Sequence, residues 1–234
     1  MFSLYLVSLL GCAHTPPESA AAPGATSGRV AAPREPQHSQ VYSLRPADGL
    51  RAPEGLADAM RQFYDPRVLI GVGRGAGGTR SVMLAAATAD GSAQDRCYET
   101  TEWPAVSEGP DGALSVSDRA LAFGTDGTQG TLAGVSMRAQ LKPEGLALIE
   151  LSGLLDTSAL VPRMGGNLAP DAFCTFLPAF GPCLPCPEGA GDTCWSVKLQ
   201  DVLATPVEVV LEPRDRGAIC ADPACAEVCG APAG

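Results

Sequence analysis

Apolar and polar residues alternate with a period of two over much of this chain. Within residues 131–141, Val135, Met137 and Leu141 share one face of an extended segment, and polar residues occupy the other. The further segments with a strand pattern are Val68–Val72, Ser81–Thr88, Leu114–Val116, Ala120–Phe123, Leu146–Ser152, Thr193–Gln200 and Val207–Leu211. Such alternation is typical of sheets that bury one face.

Turn signals that contain glycine or proline separate these segments. Lys142-Pro143-Glu144-Gly145 lies between two alternating stretches and predicts an antiparallel hairpin. Further turns are predicted at Asp90-Gly91, Asp111-Gly112 and Asp126-Gly127. Eight or nine short strands predict a mostly β fold, an antiparallel sandwich or barrel, in preference to a parallel sheet with crossover helices.

One segment near the start of this β region has helical spacing instead. Its apolar face consists of Leu56, Ala59, Met60 and Phe63, with Pro53 before it and Pro66 after it. Because proline is tolerated near a helix start and ends a helix interior, this pattern predicts one short N-terminal helix.

Composition limits the function classes. Of the 234 residues, 45% are apolar and 18% are charged, which is too apolar for a disordered chain. The net charge of −10 leaves no basic surface to neutralise phosphates, so we expect no nucleic-acid partner.

The first twelve residues carry an export signal. Residues 1–11 are mostly apolar, and Leu9, Leu10 and Gly11 lead directly to Cys12. This sequence resembles the lipobox of bacterial lipoproteins. The resemblance implies that residues 1–11 are a signal peptide and that the thiol of Cys12 receives a diacylglyceryl group. The lipid on Cys12 would then make the membrane a partner of the protein.

The residues after Cys12 divide into a tether and a body. Residues 12–40 are rich in Pro, Ala, Ser and Gly without apolar periodicity, which predicts a disordered, lipidated tether. Residues 41–234 are predicted to form the β domain, whose cysteine-rich part begins at about residue 162. Ala13 follows the lipidated cysteine, and by analogy with lipoprotein sorting it favours the outer membrane of the cell envelope.

Eight of the nine cysteines remain once Cys12 is set aside. They are Cys97, Cys174, Cys183, Cys186, Cys194, Cys220, Cys225 and Cys229. An even number in an oxidising compartment predicts up to four disulfides that staple the C-terminal part. The three cysteines of residues 220–229 lack one partner among themselves, so we expect Cys97 to be tied to the C-terminal segment. The other pairings stay open, because eight cysteines allow 105 arrangements.

Two other roles compete for these cysteines. Cys183 and Cys186 have the C-x-x-C spacing of thiol oxidoreductases, but prolines surround them and no helix is predicted to begin there. Cys174, Cys183, Cys186 and Cys194 could supply a zinc site, although a single C-x-x-C pair is half of the usual signal. We therefore favour structural disulfides and expect neither a metal nor another cofactor.

Histidine placement restricts the catalytic options. Both histidines, His14 and His38, fall in the predicted tether, so the folded body is predicted to contain none. A Ser-His-Asp or Cys-His arrangement then cannot form in that body. The two lysines, Lys142 and Lys198, do not follow a serine at S-x-x-K spacing. No catalytic residue is assigned.

A glycine motif is weak evidence for a nucleotide site. Residues 73–78 match G-x-G-x-x-G, but the segment that follows has a strand pattern, whereas a dinucleotide site needs a helix there. We expect a hairpin loop. The two tryptophans, Trp103 and Trp195, are expected to be core or loop anchors and not a sugar-stacking platform.

Paired carboxylates would be a further route to catalysis. A glycosidase needs only two of them close together, which spacing in a sequence cannot test. The carboxylates in predicted loops are Asp90, Asp95, Glu99, Asp118 and Asp126, and we expect them to be solvated.

These observations favour a lipid-anchored, non-enzymatic envelope protein that serves as a structural, assembly or protein-interaction module. One alternative is a β-barrel carrier of a small apolar ligand, which requires a cavity lined by inward-facing strand residues. The other is an envelope hydrolase with paired carboxylates, or a thiol oxidoreductase at Cys183 and Cys186.

Overall fold

The structure, a computed structural model, describes part of the chain. The described residues are 38–51, 57–58, 61, 66–75, 78–123, 130–158, 161, 169, 171–172, 175, 182–187 and 193–229. All of them belong to one compact unit, residues 35–234. The predicted signal peptide, Cys12, Cys174, Asp126 and the apolar face of the predicted helix lie outside the described residues.

Within the described residues, nine antiparallel β-strands carry the fold. They are β1 (His38–Leu44), β2 (Val68–Arg74), β3 (Arg80–Ala86), β4 (Thr101–Glu108), β5 (Ala113–Phe123), β6 (Gly130–Lys142), β7 (Gly145–Asp156), β8 (Leu184–Pro185) and β9 (Thr193–Val207). Neighbours follow the order β1-β2-β3-β4-β5-β6-β7-β9, and β9 pairs back onto β1. Eight strands thus close a barrel, which confirms the mostly β prediction, and the two-residue β8 adds to the start of β9.

The β6–β7 hairpin confirms the predicted turn. Lys142 pairs with Gly145 across the two-residue turn Pro143-Glu144. Val135 and Met137 of β6 are buried, whereas Arg138 is exposed, as the alternation predicts. Period-two patterning therefore places this hairpin with its apolar face toward the barrel interior.

Apolar side chains fill the barrel. One buried cluster joins residues from all eight barrel strands. Its most enclosed members include Leu114, Leu146, Leu148, Val82 and Val135, each at most 1% exposed. Burial of apolar area at this density supplies the main stabilisation of the barrel.

Both tryptophans anchor the body, as expected. Trp103 is 3% exposed and belongs to the interior cluster, and its indole Nε1 donates a hydrogen bond to the carbonyl oxygen of Ala120 at 3.4 Å. Trp195, on β9, is 2% exposed.

The C-terminal segment, residues 208–229, covers the outer face of β1–β3. It contains α2 (Arg216–Cys220), a 3₁₀ turn (Pro223–Cys225) and α3 (Ala226–Cys229); α1 is the short helix Pro46–Gly49. Leu211 packs on Val41, Leu69 and Met83 in a second buried cluster outside the barrel. The predicted strand Val207–Leu211 is therefore wrong beyond Val207, since Val209 and Leu211 pack on the sheet without joining it.

Polar contacts attach this C-terminal segment to the β3–β4 connection. Arg214 is 8% exposed, and its Nε donates to the Arg96 carbonyl at 3.1 Å, while its Nη2 donates to Asp222 Oδ2 of the same segment at 2.8 Å. Its backbone N–H donates to Thr100 Oγ1 at 2.9 Å, and the N–H of Thr100 donates to the Arg214 carbonyl at 2.9 Å. A buried arginine needs such partners, because an unpaired charge there would be costly.

The described strands correct three predictions. Strand β1 begins at His38 and not at Val41, so the predicted tether is too long at its C-terminal end. His38 lies in the barrel wall at 9% exposure, and the prediction of a folded body without histidine is wrong. The segments predicted at residues 114–116 and 120–123 form one strand, β5, with Asp118 at a φ of 51° in an irregular stretch between them.

None of the helices within the described ranges combines the length and apolar character needed to cross a bilayer.

Candidate functional site

The described cysteines are paired as disulfides. Cys97 is bonded to Cys225, which ties it to the C-terminal segment as expected. Cys220 is bonded to Cys229, and Cys186 to Cys194. Cys183 is also disulfide-bonded. These sulfurs are committed to covalent cross-links.

These pairings bear on the two competing roles of the cysteines. Because Cys186 is joined to Cys194, the C-x-x-C pair Cys183 and Cys186 does not form the internal disulfide of an oxidoreductase. A disulfide sulfur also lacks the thiolate that ligates zinc. Within the described ranges, no group of three or more His, Cys, Asp or Glu side chains is placed to hold a metal ion.

The glycine motif lies in the β2–β3 hairpin, as expected. Gly75 donates its N–H to the carbonyl of Thr79 at 2.7 Å, and β3 begins at Arg80. The chain therefore returns as a strand where a dinucleotide site would need a helix N-terminus.

Two of the described loop carboxylates accept hydrogen bonds from neighbouring residues within their turns. Asp90 accepts hydrogen bonds from the hydroxyls of Ser92 and Thr88, both at 2.6 Å, and these bonds lower its pKa to about 2. Asp95 accepts the backbone N–H of Cys97 at 3.0 Å. Both carboxylates thus hold the connection that carries Cys97 in position.

A groove lies where β1 and β9 separate. It has a volume of about 600 Å³, within the range of ligand pockets. Three segments line it, namely the start of β1, the β6–β7 turn and the chain around the end of β9. Its lining residues are His38, Ser39, Gln40, Val41, Tyr42, Lys142, Pro143, Gly145, Pro206, Val207, Glu208, Val209 and Val210.

The groove exists because the β1–β9 contact is short. These strands pair through only Val41↔Val207, Tyr42↔Pro206 and Ser43↔Thr205, whereas the β7–β9 ladder runs from Leu146 to Asp156. Pro206 has no backbone N–H, which weakens the seam further. Beyond Val207 the chain leaves the sheet, so the first residues of β1 lose their neighbour on that side.

The groove combines apolar and polar side chains and has two charged residues. Val210 is 68% exposed, an unusually open position for valine, and Pro143 and Pro206 add further apolar surface. Lys142 and Glu208 are both exposed, and neither forms an ion pair with any described residue. The other lysine, Lys198, is by contrast 3.2 Å from Glu150.

His38 forms part of the groove wall but is itself nearly buried. Its Nε2 has no hydrogen-bond partner among the described residues. Burial lowers the pKa of the His38 imidazole, and the nearby carboxylate of Glu102 offsets part of that decrease. Burial therefore disfavours the charged form of the His38 imidazole.

Sequence reasoning did not find this groove. Its lining comes from three segments separated by about a hundred and by about sixty residues along the chain, and only their pairing in the barrel brings them together. Comparison with protein-family models, with curated proteins and with solved structures finds no match to this chain.

Proposed function

We propose that this protein is a non-enzymatic lipoprotein of the cell envelope whose disulfide-stapled barrel binds another protein. The observation that carries the proposal is a barrel whose interior is packed with side chains, together with an open groove at the seam between β1 and β9. Because the interior is occupied by side chains, the surface that is free to bind a partner is external. The groove combines exposed apolar side chains with two charges that have no ion pair among the described residues, as protein-interaction sites do.

The disulfides support export. Three described disulfides join residues of the barrel and of the C-terminal part, and such bonds persist in oxidising compartments and are rare in the cytosol. This fits the lipobox at Leu9–Cys12, a lipid anchor on Cys12 and a position in the outer membrane, all of which belong to this proposal.

The anchor and the compartment are tested together by intact mass. The full chain is expressed with its own N-terminus in a bacterial host and extracted from membranes with detergent. We expect a chain that starts at Cys12 and carries lipid, with the remaining eight cysteines oxidised. The Cys12→Ser variant should retain residues 1–11, carry no lipid and no longer be extracted with the membranes. An unprocessed chain with reduced thiols in the soluble fraction would overturn the proposal.

A second function, carriage of a small apolar ligand, has the barrel fold in its favour. A carrier of this kind needs a cavity among the inward residues, whereas here those residues pack into one cluster. Native mass spectrometry of the extracted protein distinguishes the two functions. A stoichiometric small molecule that co-purifies with the barrel would favour carriage.

A further inference from the structure

We propose that the groove between β1 and the end of β9 binds an extended segment of a partner protein by strand addition, and that this segment carries an acidic residue facing Lys142. The inference rests on the proposed interaction function and names the surface and the kind of partner. It is carried by the open sheet edge, the exposed apolar side chains and the two charges that have no ion pair among the described residues.

The open edge is the first step. His38 and Gln40 at the start of β1 pair with β2 on one side, with Ser39 at the register shift between them, and in the described part of the chain no strand pairs with these three residues on the other side. Across the groove, residues 208–210 are likewise outside any described ladder. Unpaired backbone groups on two sides of a groove fit an incoming strand, which supplies the missing hydrogen bonds.

The length of the open edge and the side chains around the groove also fit an extended partner segment. Residues 38–40 are the part of β1 that β9 leaves unpaired, and at about 3.3 Å per residue they accommodate about three residues of an extended partner. The exposed side chains of Pro143, Pro206 and Val210 present apolar surface on the sides of the groove. An extended segment points alternate side chains in opposite directions, so every second partner residue should be apolar.

The charge of Lys142 predicts an acidic residue in the partner segment. Lys142 is an exposed cation without an ion pair among the described residues, in a chain of net charge −10. A carboxylate next to this ammonium is favoured, while an acidic segment is repelled elsewhere on the protein. Glu208 lies in the same groove, more than 4 Å from any described basic group, and disfavours a second acid near it. We therefore expect one acidic residue, at the Lys142 end of the segment.

The test uses the lipidated full chain in detergent and a phage-displayed library of random peptides of about nine residues. Enriched peptides should alternate apolar residues and contain Asp or Glu. The strongest peptide is then synthesised with a fluorescent label, and its affinity is measured by anisotropy. Lys142→Glu and Val210→Asp should each weaken binding by about tenfold or more. N-methylation of alternate backbone nitrogens in the peptide should abolish binding, because strand addition needs those donors.

Two matched variants serve as controls. Arg119→Glu reverses an exposed charge on β5, and Leu184→Asp changes an exposed apolar residue on β8, both outside the groove. Each should change the affinity by less than about twofold. All four altered side chains are exposed, so the variants should keep the wild-type circular dichroism spectrum.

The results separate this inference from the proposed function. Peptides that bind the groove variants and the wild type equally, or a library that shows no enrichment over the Val210→Asp protein, would overturn the groove assignment. In that case, lipidation and oxidised cysteines in the membrane-extracted protein would still support the envelope lipoprotein.

Discussion

The side chain of Gln94 pairs with the backbone of Glu212 as a neighbouring strand would. Its Nε2 donates to the Glu212 carbonyl at 2.8 Å, and its Oε1 accepts the N–H of Glu212 at 2.8 Å. The two residues are 118 positions apart, and Gln94 is 8% exposed. One buried amide therefore satisfies both polar groups of a backbone residue in the C-terminal segment.

Replacement of Gln94 should loosen the C-terminal segment. Gln94→Ala leaves the N–H and the carbonyl of Glu212 without their partner, which should cost about 1–3 kcal/mol of unfolding free energy. Urea denaturation followed by fluorescence measures this. Gln140→Ala is the matched control, because the Gln140 side chain makes one 3.2 Å bond on the surface, to the Asp111 carbonyl. A loss for Gln94→Ala no larger than for this control would contradict the assigned role.

The disulfides should differ in their contribution to stability. Cys97 and Cys225 are 128 residues apart, whereas Cys220 and Cys229 are 9 apart. Chain entropy gives the longer loop about 5 kcal/mol and the shorter about 2.5 kcal/mol. The pair Cys97→Ala and Cys225→Ala should therefore destabilise the protein more than the pair Cys220→Ala and Cys229→Ala. If equilibrium denaturation instead shows the larger loss of unfolding free energy for the Cys220 and Cys229 pair, the stability contribution of the Cys97–Cys225 disulfide does not come from loop closure.

Local signals predicted part of this fold well. The β6–β7 hairpin was predicted because its alternation is uninterrupted and Pro143-Glu144 forms a short turn. Strand β4 was missed for two reasons. Its buried residues Trp103 and Val106 are three positions apart at a register shift, which breaks the period of two, and Pro104 is unfavourable in a strand.

The groove could not be predicted in the same way. Lys142 looks like an ordinary turn residue, and His38 lies next to a stretch with tether composition. Their approach depends on the closure of β9 onto β1, through the pairing of Val41 with Val207. Such long-range pairing leaves no local pattern in a single sequence.

Gly71 should be required for the contact between the barrel wall and the C-terminal segment. A Cβ at this position would lie 2.8 Å from Leu211 Cδ1 and 3.1 Å from His38 Cγ. Gly71→Ala should therefore cost about 1–3 kcal/mol of unfolding free energy through overpacking. Adding Leu211→Ala should cost less in this background than in the wild type, a coupling that a double-mutant cycle measures. Additive effects would show that Leu211 does not cause the strain.

Gly217 provides the contrasting case. It lies in α2, where an added Cβ has Asp215 Oδ1 as its neighbour at an ordinary 3.4 Å. Gly217→Ala should stabilise the protein by up to about 1 kcal/mol, since alanine loses less entropy in a helix. Opposite signs for the two glycine variants would confirm that the close approach at Gly71 decides the cost there.

Acidification should destabilise the protein through His38. Its folded-state pKa is lowered from 6.5 by burial, so the unfolded chain binds a proton at a higher pH than the native protein does. By linkage, the stability contribution is complete above about pH 6.5 and decreases as the pH falls from there through the folded-state pKa. Urea unfolding at intervals between about pH 7.5 and pH 5 measures this decrease, in a range above most carboxylate titrations.

The His38→Gln variant isolates this effect. It keeps a polar side chain at the position but does not titrate, so its stability should change less over the same pH interval than that of the wild type. Equal pH dependence in the two proteins would mean that the burial of His38 in the wall of the groove does not disfavour its charged form.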